Sequence, residues 1–222
     1  MSGIDLSVPI SEEAVRSLRV GDTVYLSGII VTGRDAAHKY MVETFIHPST
    51  DKEQDLAAIP KSERELYSEL RRLLKGGAIY HCGPVVRQLP APVDGGESQW
   101  EFVAAGPTTS IREEVYEPEV IAHFGLRGVI GKGGMGPSTL RACREYGAAY
   151  FHAVGGAASL IAEAVEEVVT VYKKDEFGVP EAFWVIRVKD FPLVVTMDTH
   201  GRSIHDEVEA TSKAALDRLI GA

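Results

Sequence analysis

The chain has 222 residues, of which 45% are hydrophobic and 25% are charged, a composition that supports one substantial hydrophobic core. We therefore expect a single domain over residues 1–222. The net charge of −9 argues against a surface that binds nucleic acid or an anionic membrane, because both need clustered lysines and arginines.

Strands dominate the predicted elements of the first half. Ser11 is a good helix N-cap, and two glutamates follow it, which predicts a short opening helix. A β-branched run predicts a strand at residues 22–31. A capping box at residues 62–65 and an apolar stripe predict a helix that Gly76 ends. Further strands are predicted at residues 78–82, 85–88 and 100–105, with a hairpin loop at 89–98.

Strands and helices alternate in the second half. We predict strands at residues 128–130, 149–153, 168–172, 183–188 and 193–197, a bend at 189–192, and helices at 138–146, 157–167 and 206–220. This order favours an α/β fold with mixed sheets covered by helices. Residues 148–164 are too polar to span a membrane and the first ten residues lack signal-peptide features, so we expect a cytoplasmic protein.

The sequence offers no recognisable metal-ligand spacing. Cys82 and Cys143 form no C-x-x-C pair, and we expect both to be buried apolar residues of a reducing compartment. Five histidines likewise have no ligand spacing and are interpreted as structural or surface residues, namely His81, His123, His152, His200 and His205.

Three turns that contain glycine follow predicted strands and carry basic or hydroxyl side chains. Their sequences are G-R-D-A-A-H at residues 33–38, G-P-T-T-S-I-R at 106–112 and G-K-G-G-M-G at 131–136. A guanidinium pairs a carboxylate through two parallel hydrogen bonds and stays charged at any working pH. Two separate arginines beside a lysine therefore predict a pocket for a small dicarboxylate.

Each turn also has a simpler interpretation. Asp35 is able to cap a helix that carries His38 on its polar face. The hydroxyls at residues 108–110 are able to cap a helix that begins near Glu113. G-K-G-G-M-G matches a dinucleotide-binding pattern, but the strand after it ends without an acidic residue for the ribose. Exposed amides at a helix N-terminus and the Lys132 ammonium then suit one anionic group.

The three motifs in this order resemble those of class I fumarate hydratases, in their β-subunit or C-terminal domain, and of the related L-tartrate dehydratases. The resemblance runs from R-V-G-D at residues 19–22 to D-T-H-G at 198–201. It implies a swivelling β/β/α domain and an iron–sulfur hydro-lyase. Departures occur at Glu113 and Glu114, and in a longer segment at 41–75.

The resemblance also implies partners and residue roles. A 4Fe–4S cluster is expected on a partner α-subunit in a hetero-oligomer, with α2β2 as one arrangement, and no cofactor is expected on this chain alone. Arg34 and Arg112 are expected to hold substrate carboxylates, assisted by Lys132 and Thr109, and Thr108 to lie at the carbon-bound proton. Asp35 and His38 complete the expected substrate-binding set, and Asp35 either activates Thr108 or orients Arg34.

Reversible hydration of fumarate to malate is the leading hypothesis for the function. Dehydration of tartrate to oxaloacetate is the alternative within the same chemistry. Two hypotheses of other classes are a nucleotide-binding regulatory module that uses the loop from Gly131 to Gly136, and a non-catalytic scaffold for the partner subunit.

Overall fold

A closed ring of strands lies at the centre of the computed structural model, which describes residues 3–48, 59–90 and 99–221. The strands are β1 (Ile4–Ser7), β2 (Thr23–Thr32), β3 (Ala78–Tyr80), β4 (Val85–Gln88), β5 (Trp100–Ala104), β6 (Gly128–Gly131), β7 (Ala149–His152), β8 (Val165–Tyr172) and β9 (Phe183–Met197). Seven of them form one sheet in the order β1-β2-β3-β6-β7-β9-β8, and β4 and β5 form a hairpin. Because β2 also pairs with β9, strands β2, β3, β6, β7 and β9 close into a ring.

Helices pack against this ring. They are α1 (Glu12–Ser17), α2 (Asp35–Met41), α3 (Arg64–Leu74), α4 (Glu117–Phe124), α5 (Pro137–Tyr146), α6 (Ala158–Ala162), α7 (Lys174–Phe177) and α8 (Ile204–Ile220). A π-helical turn continues α2 at Val42–Ile46, and 3₁₀ turns lie at Lys61–Glu63 and Ser110–Val115. The sheet is mixed, since β9 runs antiparallel to its neighbours, and the predicted α/β class is confirmed.

The short parallel strands are buried on both faces, which divides the core in two. Tyr80 of β3 and Ile130 of β6 belong to one cluster, whereas Ile79 and Val129 belong to the other. Alternate residues of a strand point to opposite faces, so the two clusters lie on opposite sides of the strands. The second cluster includes side chains of α2, α3, α4 and α5 and therefore lies between ring and helices. Burial on both sides explains why these strands are continuous apolar runs.

The ring places one end of four strands together. Strands β2, β3, β6 and β7 run parallel, so their carboxyl ends meet at one edge. The residues that follow or end these strands include Arg34, His81, Lys132 and His152. Ligands of parallel α/β sheets and barrels bind at the carboxyl ends of the strands, so this edge is the first place to look for a site.

Most predicted elements are present. The Ala14 amide donates a 3.1 Å hydrogen bond to Ser11 Oγ at the start of α1, as expected of an N-cap. Gly76 follows α3 with a left-handed φ of 69°, as expected of a residue that ends a helix. The predicted hairpin is confirmed as β4 and β5, although most of its loop, at 91–98, lies outside the described residues. The same holds for 49–58 of the long 41–75 segment.

The helix predicted at 157–167 is wrong in its second half. Helix α6 ends at Ala162, and β8 begins at Val165. Residue Val165 pairs with Val188 of β9, and three more valines of β8 continue along this edge. Pairing of β-branched residues with β9 outweighs the helical periodicity of the preceding alanines.

Two local predictions also need correction. The bend at 189–192 does not separate two strands, because β9 continues through it and both halves pair with β2. Asp190 absorbs the irregularity with a φ of 49°, and its amide donates to Ser27 Oγ at 2.9 Å. The capping box at 62–65 is absent, since α3 begins at Arg64 without a side-chain cap and Ser62 lies in the preceding 3₁₀ turn.

Within the described residues, no helix is long and apolar enough to cross a membrane. Both cysteines are free and buried, as predicted.

Candidate active site

The loop at 106–112 lies between the turns that follow β3 and β6. Thr108 donates its amide hydrogen to the His81 carbonyl at 2.7 Å, and Ser110 donates to the Lys132 carbonyl at 3.0 Å. The Lys132 amide donates in turn to the Thr108 carbonyl at 3.2 Å. These bonds bring two of the predicted motifs, at 106–112 and 131–136, into direct contact.

Arg34 forms an ion pair with an acidic residue from a distant part of the chain. Its Nε lies 3.3 Å from Oε1 of Glu181, whose Oε2 accepts the Ala36 amide at 3.1 Å. Gly83, after β3, lies against the same guanidinium, because an added Cβ there would be 2.5 Å from an Arg34 terminal nitrogen. Glu181, and not Asp35, therefore orients Arg34.

Asp35 pairs with the second predicted arginine. Its Oδ2 lies 3.2 Å from a terminal nitrogen of Arg112, and both side chains are about half exposed. Because Asp35 directly follows Arg34, this ion pair places both arginine-bearing turns on the same side of the molecule. Convergence of the Arg34 and Arg112 side chains on one ligand stays a prediction.

Thr108, Thr109 and Lys132 line the adjoining strand ends. Thr108 is half-buried, and its hydroxyl donates to the His81 carbonyl at 3.1 Å. Thr109 is exposed and pairs with Lys132 in an isolated bridge. Lys132 is half-buried, and within the described part of the chain its ammonium has no carboxylate partner. It is thus a cation available to a ligand.

The N-terminus of α5 is already occupied by an internal carboxylate. Glu114 accepts the amides of Gly136 at 2.8 Å, Ser138 at 2.8 Å and Thr139 at 3.2 Å. The predicted anion site at these amides is therefore wrong. A dinucleotide pyrophosphate binds at the corresponding helix N-terminus, so the nucleotide hypothesis loses its binding group.

A buried network lies beneath the arginine turns. Oε2 of Glu117, at the start of α4, is 2.9 Å from Nε2 of His38 and 3.0 Å from Nε2 of His81. All three residues are fully buried. His38 therefore does not lie on a polar helix face, and both its ring nitrogens contact protein groups, the other being 2.9 Å from the Arg34 carbonyl.

The charges of this network follow from burial and mutual contact. Burial raises the pKa of Glu117, but the two imidazoles outweigh it and lower the pKa to about 2. Burial lowers the pKa of His38, yet the Glu117 carboxylate raises it overall. For His81, burial prevails and the pKa is lowered. The network thus holds a Glu117 carboxylate of low pKa between a histidine whose pKa is raised and one whose pKa is lowered.

His38, His81 and Glu117 are also close enough to one another to be considered as metal ligands. Their nitrogen–oxygen contacts of 2.9 and 3.0 Å are ion-pair and hydrogen-bond distances, which account for the cluster without an ion. An iron–sulfur cluster does not fit this chain, because Cys82 and Cys143 are fully buried in different core clusters. Burial also raises the pKa of Cys82 to about 12, which disfavours the thiolate that binds metals.

Three acidic residues of the site are not among the residues predicted from the sequence to bind substrate or act in catalysis. Glu117, Glu114 and Glu181 lie on separate elements, and nothing in their local sequence separates them from surface glutamates. His152 ends the fourth parallel strand, and its Nδ1 is buried without a hydrogen-bond partner.

The chain is similar to known hydro-lyases over nearly its whole length. Residues 1–208 match the model of the family described as Fumarase C-terminus. Identity is 45% over 216 residues to a Geobacillus stearothermophilus protein named "Putative fumarate hydratase class I". It is 37% over 213 residues to a Methanocaldococcus jannaschii protein named "Putative L(+)-tartrate dehydratase subunit beta", and 38% over 200 residues to the Escherichia coli K12 "L(+)-tartrate dehydratase subunit beta".

The three relatives differ in length relative to this chain. The first match covers 97% of this chain but only 35% of the Geobacillus protein. The Methanocaldococcus match covers 96% of both proteins, and the Escherichia match covers 90% of this chain and 85% of its relative. None of these three names describes a nucleotide-binding regulatory protein.

Proposed function

Because the chain belongs to the Fumarase C-terminus family, we propose that it is the β-subunit of an iron–sulfur hydro-lyase that interconverts fumarate and malate. The observation that carries this proposal is the Asp35–Arg112 ion pair, which joins the two arginine turns near Lys132, whose ammonium has no carboxylate partner among the described residues. Two guanidinium groups and one ammonium suit a dicarboxylate whose charge increases at one end during reaction.

In this proposal Arg34 and Arg112 each bind one carboxylate. Glu181 holds Arg34 through Nε, which leaves the terminal nitrogens for the substrate. Substrate displaces Asp35 from Arg112, so Asp35 neutralises the charge of Arg112 in the empty site and competes with the incoming carboxylate. His38 is buried and acts on the substrate only through the Arg34 turn.

The proton chemistry is assigned to the neighbouring loop. Hydration needs one carboxylate as electron sink and a group at the carbon-bound proton. Lys132, assisted by Thr109, stabilises the charge on the carboxylate that acts as electron sink. Thr108 lies at the carbon-bound proton. A threonine hydroxyl is a weak base and needs a carboxylate beside it. The proposal assigns that carboxylate, like the 4Fe–4S cluster, to a partner α-subunit.

Tartrate dehydration is the second candidate. The relatives of similar length to this chain carry that name, at 37% and 38% identity. Both reactions remove water from a four-carbon hydroxy diacid, and the same arginines and lysine serve either substrate.

The decisive experiment is co-expression of the chain with its cysteine-bearing partner, anaerobic purification, and assays with malate, tartrate and citramalate. We expect a brown complex that dehydrates malate. Higher kcat/KM with tartrate would establish the second candidate, and a colourless, inactive complex would contradict both.

Arg112→Lys tests the arginine pair in that complex. A point charge replaces the planar fork, and we expect kcat/KM to fall by at least about tenfold. Arg187→Lys is the matched control, since Arg187 forms an exposed ion pair with Glu167 away from these turns. Near-normal kinetics with lysine at 112 would contradict the assignment. A fully active Lys132→Ala complex would favour the scaffold hypothesis.

A further inference from the structure

The buried Glu117 network connects the two arginine turns. Nδ1 of His38 is 2.9 Å from the carbonyl oxygen of Arg34. Nδ1 of His81 is 2.8 Å from Oγ of Ser110, two residues before Arg112. Both imidazoles contact the same carboxylate oxygen of Glu117. One buried carboxylate thus joins the backbone carbonyl of Arg34 in one arginine turn to the Ser110 side chain in the other.

The partners determine where the protons lie. A carbonyl oxygen only accepts, so His38 Nδ1 carries a proton toward Arg34. Its Nε2 lies 2.9 Å from a carboxylate oxygen, a contact that is repulsive unless Nε2 is also protonated. His38 is therefore an imidazolium in an ion pair with Glu117.

His81 has the opposite assignment at Nδ1. The Tyr150 hydroxyl donates to Ser110 Oγ at 2.8 Å, which leaves the Ser110 hydrogen for His81 Nδ1. Nε2 of His81 then donates to Glu117 at 3.0 Å. Each ring nitrogen of His38 and His81 thus lies within 3.0 Å of an oxygen of Arg34, Ser110 or Glu117, and the contact of His38 Nε2 with Glu117 is an ion pair rather than a well-directed hydrogen bond.

Other charged groups near His38 do not replace Glu117. The Glu113 carboxyl is buried, and neither of its oxygens has a hydrogen-bond partner. Asp35 forms its ion pair with Arg112. Of the described residues, Glu117 has the only carboxylate in ion-pair contact with His38.

We propose that Glu117 is a positioning residue, which holds Arg34 through the His38 imidazolium and Arg112 through neutral His81 and Ser110, and so sets the spacing of the two guanidinium groups. This inference rests on the proposed function for its kinetic consequence. The proton arrangement itself does not depend on the reaction.

The first test is nitrogen NMR of the full chain with labelled histidine. At pH 8 we expect one imidazole with both nitrogens protonated, absent from His38→Asn, and one neutral Nε2–H tautomer, absent from His81→Asn. We expect the doubly protonated signal to disappear in Glu117→Gln and to persist in Glu119→Gln. Glu119 is the matched control, since it lies on the same helix and pairs with exposed His47 at 3.0 Å.

The second test is kinetic and uses the assembled complex. Glu117→Gln loosens both arginines, and we expect the KM for the diacid to rise at least tenfold while kcat falls less than threefold. A general loss of folded enzyme would lower kcat at unchanged KM instead. Wild-type values of both constants in Glu117→Gln would overturn the proposal.

The two tests fail separately from the proposed function. An inactive wild-type complex contradicts the hydro-lyase assignment, whereas the NMR signals still report on the network. A singly protonated His38 in the wild-type chain at pH 8 overturns the proposal, even if Glu117→Gln does not fold. A stoichiometric metal ion in purified wild type that is lost in His81→Asn would also overturn it.

Discussion

Gly131 lies where the hydroxyls of the buried network approach the β6 backbone. An added Cβ there would be 1.9 Å from Ser110 Oγ and 3.0 Å from the Tyr150 hydroxyl. We predict that Gly131→Ala lowers the free energy of unfolding by about 1–3 kcal/mol, because the hydroxyls must move. Denaturant titration measures this. In the control Gly155→Ala the new methyl meets Lys132 Cδ at an ordinary 3.6 Å, and equal losses in both variants would contradict the steric explanation.

Glu113 makes stability depend on pH. Burial raises the pKa of its carboxyl from the ordinary 4.5 to about 7. The folded chain holds this proton between those values while the unfolded chain releases it, so stability falls as the pH rises from 4.5 to 7. We predict that Glu113→Gln gains stability over wild type across that interval, reaching on the order of 2 kcal/mol after screening. Denaturant titrations at several pH values measure the difference in free energy of unfolding between the variant and wild type. A difference that stays constant between pH 4.5 and 8 would contradict this prediction.

Site residues were predictable where they stand in glycine-containing turns that follow strands. Arg34, Arg112 and Lys132 stand in glycine-containing turns after apolar strands, and turns at strand ends carry function. Glu117 carries no such mark, because a glutamate in the first turn of a helix is favourable in any surface helix. Its role depends on His38 and His81, which are distant in sequence and come together only through strand pairing.

At the scale of elements, the N-terminus of α5 depends on a residue outside it. Gly136 is the N-cap and has no side chain, and Glu114 accepts its amide and two amides of the first turn instead. We predict that Glu114→Ala lowers the free energy of unfolding by about 1–3 kcal/mol, the cost of leaving these donors unpaired. Exposed Glu209 on α8 provides the control Glu209→Ala, for which we expect no measurable change. Similar losses in both variants by denaturant titration would contradict the capping role.

Elements were predictable where local signals agree with the tertiary structure. The composition of β2 and the cap of α1 determine those elements locally. The sequence of β8 begins with helix-forming neighbours, and only its pairing with β9 selects the strand. Likewise, β9 contains a proline and a left-handed Asp190, which predict a break, yet both halves remain paired with β2. Pairing between distant segments cannot be read from a short stretch of one sequence.

At the scale of the whole molecule, the long strand β9 closes the ring and joins both core clusters. Leu193 and Val195 belong to one cluster, and Phe183 and Val185 to the other. Ring closure by one strand makes independent unfolding of two halves unfavourable, which supports the proposal of a single domain over residues 1–222. The two clusters are therefore expected to unfold in one cooperative transition.

Helix α8 stands apart from this cooperative unit, because none of its side chains is buried. His205, at its start, packs against Gly134 and contacts Thr196 Oγ1 at 3.1 Å, so the beginning of the helix belongs to the body. We predict that a chain ended after Glu207 keeps the wild-type free energy of unfolding to within about 1 kcal/mol. Leu193→Ala, in the buried ring, should lose about 2–5 kcal/mol in the same titration and shows that the measurement is sensitive. A truncated chain that loses as much as Leu193→Ala would mean that α8 stabilises the folded body after all.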